Sequence, residues 1–116
     1  MRSFIHIKDV AEGTLQVARH AAPPDIFHFS TAINISVRSV VELIALKLNI
    51  SFENNVEVVD ERPGKDAAYL LDNSKARTIG WEPKIALEQG IDETINWVKV
   101  NLEVLLKQNM NYVHKP

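Results

Sequence analysis

Residues 72–83 read Asp72-Asn73-Ser74-Lys75-Ala76-Arg77-Thr78-Ile79-Gly80-Trp81-Glu82-Pro83. Asp72 or Ser74 can cap a helix by accepting from its first free amides. Gly80 can end that helix in a left-handed turn, because a residue without Cβ adopts positive φ at little cost. Trp81-Glu82-Pro83 then serves as a connector, and Trp81 is expected in the core. Beyond it Leu87, Ile91, Ile95, Val98, Leu102 and Leu105 recur at helical spacing, which predicts one long helix to about Lys107. Asn109 to Pro116 is a polar tail expected to run over the surface or fray.

Working back from that stretch, short apolar runs alternate with helical stripes. Strands are expected at Phe4–Ile7, Ile26–Ser30, Val56–Val59 and Ala68–Leu71. Asp9 is the expected N-cap of a helix carrying Val10, Thr14, Val17, Ala18 and Ala21, stopped by Pro23-Pro24. Ser36 is the expected N-cap of a second helix, with Val37, Val40, Val41 and Ile44 forming an i, i+3, i+4, i+7 stripe to about Leu48. The pattern is α/β, or α+β-like, with short strands and about four helices. At 116 residues it is one domain, residues 1–116. A strand starting almost at the first residue suggests that the chain begins inside a larger fold.

Composition narrows the function. Hydrophobic residues are 46% and charged residues 24%, as in soluble globular domains, and the net charge is −2. That balance argues against a nucleic-acid partner but permits a local cationic pocket. The absence of cysteine excludes disulfides, thiolate catalysis and cysteine zinc sites. No apolar run approaches the roughly 18 residues that a spanning helix needs, and the N-terminus lacks a signal peptide, so no membrane partner and a cytoplasmic setting are expected. Only Gly13, Gly64, Gly80 and Gly90 are available, too few and too scattered for a phosphate-cradling glycine loop. The four histidines do not pair at zinc-ligand spacing, and no serine sits in a nucleophile elbow. No catalytic, cofactor or metal residue is therefore assigned.

The densest polar group is Glu61-Arg62-Pro63-Gly64-Lys65-Asp66, a turn between two expected strands. A guanidinium is the natural bidentate partner of a phosphate, an ammonium adds a point charge, and a carboxylate can accept from a sugar hydroxyl. The same residues also make an ordinary solvated turn. Arg2 is either an exposed terminal residue or a second anion ligand. His6, between Ile5 and Ile7, reads as a satisfied structural histidine. Trp81 and Trp97 read as core, and Tyr69 as packing.

Taken together, these segments resemble the extended short-chain dehydrogenase/reductase family of nucleotide-sugar epimerases and 4,6-dehydratases. Arg2-Ser3-Phe4-Ile5-His6-Ile7-Lys8-Asp9-Val10-Ala11 is similar to its Arg-Asp-aromatic-Ile-His-Val-x-Asp-hydrophobic-Ala segment. Arg62-Pro63-Gly64-x-Asp66 resembles its second nucleotide-binding motif. Asp72-x-Ser74-Lys75-Ala76 and Ile79-Gly80-Trp81-x-Pro83 resemble its Asp-x-Ser-Lys-Ala and Leu-Gly-Trp-x-Pro signatures, and Gly90-Ile91 and Trp97 match the following helix. Each motif is weak alone; four in order are specific. Ser3 departs from the family's common Asp.

The resemblance implies the C-terminal, nucleotide-sugar-binding part of a longer enzyme, lacking the N-terminal Rossmann domain that binds NAD and carries Tyr-x-x-x-Lys. Neither Tyr69, with Asn73 four residues on, nor Tyr112, with Pro116, supplies that motif. It further implies that Arg2 and Arg62 reach the substrate diphosphate, that Asp66 takes a ribose hydroxyl or stabilises its turn, and that Glu61, Gly64 and Lys65 line that turn. Val37 matches a position near the nucleotide, where the family often has Asn. His6, Asp9, Ser74, Trp81 and Trp97 match structural positions. The acid before Arg62, Tyr69 and the tail lean towards the dTDP-glucose 4,6-dehydratases, with UDP-sugar 4-epimerases and UDP-glucuronate decarboxylases as alternatives. The chain alone is expected to lack turnover. Self-association or a Rossmann-domain partner is expected to cover its apolar faces.

Overall fold

A computed structural model describes residues 1–20, 22, 24–60, 64, 68–69 and 71–108. Among the described residues six helices follow in chain order: α1 Ile7–His20, α2 Val37–Leu48, α3 Phe52–Asn55, α4 Ser74–Thr78, α5 Leu87–Val100 and α6 Leu102–Leu106. Among the described residues the only ladder pairing is an isolated antiparallel bridge between Arg2 and Ile35. The molecule is thus mostly helical, and the expected α/β alternation is corrected on this point. The four expected strand segments form no strand among the described residues.

The reason is a lack of neighbours. An extended segment becomes a strand only when another backbone supplies its hydrogen bonds. Ile26, Val58 and Val59 are exposed by more than 70%, so nothing covers them. Residues near 3, 30 and 71 do meet, but side chains join them. Ser3 Oγ accepts from the Thr31 amide at 2.8 Å, Ser30 Oγ donates to the Leu71 carbonyl at 2.7 Å, and Asn73 Nδ2 donates to the Ser30 carbonyl at 2.7 Å.

Helix α1 begins before its expected cap. The His6 carbonyl accepts from the Asp9 and Val10 amides, and His6 Nδ1 accepts from the Lys8 amide at 3.2 Å. His6 therefore caps the helix, and Asp9 lies inside its first turn. Asp9 is 5% exposed. Its Oδ2 accepts from the Ile85 amide at 3.0 Å, and its carbonyl accepts from the Trp81 indole N–H at 2.8 Å. These two bonds tie α1 to the connector between α4 and α5.

Helix α2 starts as expected, with Ser36 Oγ accepting from the Ser39 amide at 2.9 Å. Helix α4 ends in a Schellman turn: the Gly80 amide donates to Arg77 and the Trp81 amide to Ala76, with Gly80 at φ 80°. That turn delivers Trp81 into the core, where the Phe29 ring meets it at 4.8 Å between centroids. Among the described residues the buried apolar ones are Ala45, Ala76, Trp81 and Ile91.

Two further expectations are corrected. The long C-terminal helix is interrupted at Asn101, which separates α5 from α6; its amide keeps the i→i−4 bond to the Trp97 carbonyl, and its Nδ2 donates to the same oxygen at 2.8 Å. Trp97 is 58% exposed rather than core. It lies off the Ile91–Ile95–Val98 stripe that α5 turns inward.

Candidate functional site

Of the predicted site residues, Arg2, Val37 and Gly64 fall among the described residues. Arg2 comes first. Its backbone is fixed by reciprocal 2.9 Å bonds with Ile35. Ile35 is followed at once by Ser36, the cap of α2, so the bridge brings the Arg2 segment up to the start of that helix. Val37, the first residue of α2, is 55% exposed there. The sequence separates Arg2 and Val37 widely, and the single bridge makes their segments neighbours.

The Arg2 side chain is oriented as well. Nη1 donates to the Met1 carbonyl at 2.9 Å, and the guanidinium carbon stands 4.5 Å above the centre of the Tyr69 ring. Tyr69 is itself held, its amide donating to the same Met1 carbonyl at 3.2 Å. Sequence reasoning assigned Tyr69 to packing, yet it is 54% exposed and lies against a predicted anion ligand. Its signal was an aromatic residue a few positions beyond the Arg-Pro-Gly turn.

Gly64 has φ 77°, and a Cβ there would meet nothing within 4 Å. The glycine thus serves the backbone of the turn, as a Pro-Gly corner requires. Glu61, Arg62, Lys65 and Asp66 lie outside the described residues.

The residues read as structural divide. His6 caps α1, Asp9 and Trp81 form the buried tie, and Ser74 opens α4. The Asp72 carboxylate accepts from the Ser74 amide at 2.9 Å and its hydroxyl at 2.7 Å. Those bonds, the amide first, hold the Asp72 carboxyl below its usual range. The Lys8 ammonium does the same for Glu93, 2.6 Å away on α5, aided by Gln89.

Two concavities lie elsewhere. An apolar groove of about 530 Å³ runs between Phe4–Ile7, Ile44 and Leu48 of α2, and Ile91, Ile95 and Val98 of α5. A smaller one of about 300 Å³ separates residues 31–35 from residues 82–87, with Arg77, Glu82 and Lys84 on its wall. Among the described residues no cluster of three or more His, Asp or Glu could hold a metal ion. No helix described is long and apolar enough to cross a membrane.

The GDP-mannose 4,6 dehydratase family model matches residues 1–94. The chain belongs to this family. It contains the Arg2 segment, the Arg62 turn and the Trp81 connector within that one match. A bovine dTDP-D-glucose 4,6-dehydratase is 34% identical over 105 residues, covering 86% of this chain and 30% of the bovine protein. The human dTDP-D-glucose 4,6-dehydratase is 32% identical over the same length. An Arabidopsis thaliana trifunctional protein, named as UDP-glucose 4,6-dehydratase, UDP-4-keto-6-deoxy-D-glucose 3,5-epimerase and UDP-4-keto-L-rhamnose-reductase, is 30% identical over 103 residues, or 15% of its length. The chain thus spans under a third of the length of these relatives. The family match and these relatives bear out the expected kinship with the extended short-chain dehydrogenase/reductases that act on nucleotide-sugars.

Proposed function

We propose that this chain is the nucleotide-sugar-binding part of an NAD-dependent dehydratase of the dTDP-glucose 4,6-dehydratase type. Residues 1–116 act as one unit that supplies affinity and orientation, in a cytoplasmic setting. Arg2 and Arg62 neutralise the diphosphate, and Glu61, Gly64, Lys65 and Asp66 shape the turn that closes on the nucleotide. Val37 lies at its edge. The observation that supports this reading best is the Arg2 guanidinium, fixed by the Met1 carbonyl and the Tyr69 ring. Two guanidinium forks suit a diphosphate, which offers several oxygens in fixed directions.

The residues present do not fit NAD. Gly13 and Gly90 are inside helices and covered by Phe29 and His6, while Gly64 and Gly80 form separate turns. None builds a glycine loop feeding a helix N-terminus, the usual pyrophosphate cradle. In this reading the cofactor and the acid–base groups belong to a Rossmann domain outside this sequence, and the chain alone has no turnover.

The exposed apolar residues Ile26, Ile33, Val58, Val59 and Val100 favour a covering partner, either a Rossmann domain or a second copy. A sedimentation run that finds only monomer at high concentration would remove the second copy.

Calorimetric titration with dTDP-glucose, UDP-glucose and dTDP tests the main reading, beside Arg62→Ala. Binding that needs the diphosphate and is lost in the variant is the expected result. Binding unaffected by the variant would overturn it, as would NADH formation from any nucleotide-sugar by this chain alone. Preference for a uridine ligand would favour the 4-epimerase or decarboxylase alternative.

A further inference from the structure

We infer that Tyr69 is a positioning residue for the diphosphate, acting through Arg2. The inference rests on the reading of Arg2 as a phosphate ligand and assigns the group that aims it. The guanidinium carbon stands over the Tyr69 ring at 4.5 Å, within reach of the ring's negative face. Stacking engages the face of a guanidinium rather than the N–H donors in its plane, of which Nη1 already serves the Met1 carbonyl. A phosphate meets donors in that plane edge-on, the orientation in which it is gripped by two parallel bonds.

The pair is anchored at two points. The Met1 carbonyl takes both Nη1 of Arg2 and the amide of Tyr69, which sets ring and guanidinium on a common anchor. The bridge to Ile35 fixes the Arg2 backbone behind them. An unrestrained arginine loses rotamer freedom on gripping an anion, and prior stacking removes part of that cost. Tyr69 also lies seven residues after Arg62 in the chain, so the ring that orients one expected phosphate ligand is linked closely to the other.

The test compares Tyr69→Phe and Tyr69→Leu in the full chain. Phenylalanine keeps the ring and its face; leucine keeps apolar bulk without them. In the unaltered protein and Tyr69→Phe, the Arg2 side-chain proton resonances should be shifted upfield by the ring; in Tyr69→Leu they should not. Calorimetry with dTDP should give a dissociation constant about 2- to 5-fold weaker for Tyr69→Leu, and near the unaltered value for Tyr69→Phe. A purely structural role would not be rescued this way, and the ligand-free melting temperatures should agree among the three. Equal dTDP affinity in Tyr69→Leu overturns the inference, as does equal weakening in Tyr69→Phe, which would make the hydroxyl the active group. Unshifted Arg2 resonances in a chain that binds dTDP overturn the inference alone. Shifted resonances in a chain that binds no dTDP overturn the nucleotide-sugar reading, and the inference with it.

Discussion

Gly13→Ala sets two well-known effects against each other. Gly13 is inside α1, where replacing glycine by alanine ordinarily stabilises by about 1 kcal/mol. Here the added Cβ would fall 2.5 Å from Phe29 Cε1 and 2.8 Å from Cδ1 and Cζ. Carbon atoms prefer about 3.5–4.0 Å, so the ring must retreat by roughly 1 Å. It has little room, because its other neighbour is Trp81, which is 2% exposed and held by its indole bond to Asp9. Overpacking of this kind costs about 1–3 kcal/mol, and the pinned ring favours the upper half. The net expectation is a loss of about 1–2 kcal/mol, a fall in melting temperature of at least about 4 °C. Thermal denaturation by circular dichroism measures it. Phe29→Leu in the same background should relieve the clash and turn the alanine substitution neutral or stabilising. A single Gly13→Ala variant that melts at or above the unaltered chain would refute the argument that the ring cannot move.

Trp81→Phe keeps an aromatic ring against Phe29 but removes the indole donor to the Asp9 carbonyl, and should cost about 1–3 kcal/mol in urea denaturation. Ser36→Ala removes the acceptor of the Ser39 amide and should cost about 1 kcal/mol, with Ser36→Asp restoring most of it in the same assay. The Glu93 carboxyl is held below its usual range, first by the Lys8 ammonium and then by the Gln89 side chain. The unfolded chain therefore binds that proton more readily, and the stabilisation is present at neutral pH and lost as pH falls through the lowered value. The gap in urea midpoint between the unaltered chain and Glu93→Gln should be full at neutral pH and narrow as the pH falls below the ordinary carboxylate range; a constant gap would count against the Lys8 contact.

Several parts of the molecule were legible from short-range chemistry. Ser36 capped the helix it was expected to cap, because an N-cap and its amide are only three residues apart. Gly80 ended α4, because positive φ at a helix terminus is nearly a glycine property. The family was legible for a related reason: its motifs are local strings whose order survives in the chain. Asn101 was the local signal passed over, its side chain sharing the Trp97 carbonyl with its own amide where the apolar stripe alone predicts an unbroken helix.

What the sequence by itself determined, then, is where turns and caps fall and which family's motifs the chain carries. The tertiary structure decided which extended segments find partners and what the polar side chains touch. Asp9 has the local character of a cap, yet its oxygens serve Trp81 and Ile85, more than 70 residues away, while His6 takes the cap instead. Tyr69 reads as strand packing, yet its ring lies under the guanidinium of Arg2, more than 60 residues away in the chain. Apolar runs read as strands, yet a ladder needs a second backbone, and side-chain hydroxyls join those segments in its place. Caps and turns are decided within one helical turn of chain; pairing, burial and the aim of a guanidinium depend on groups that only folding brings within a few ångströms.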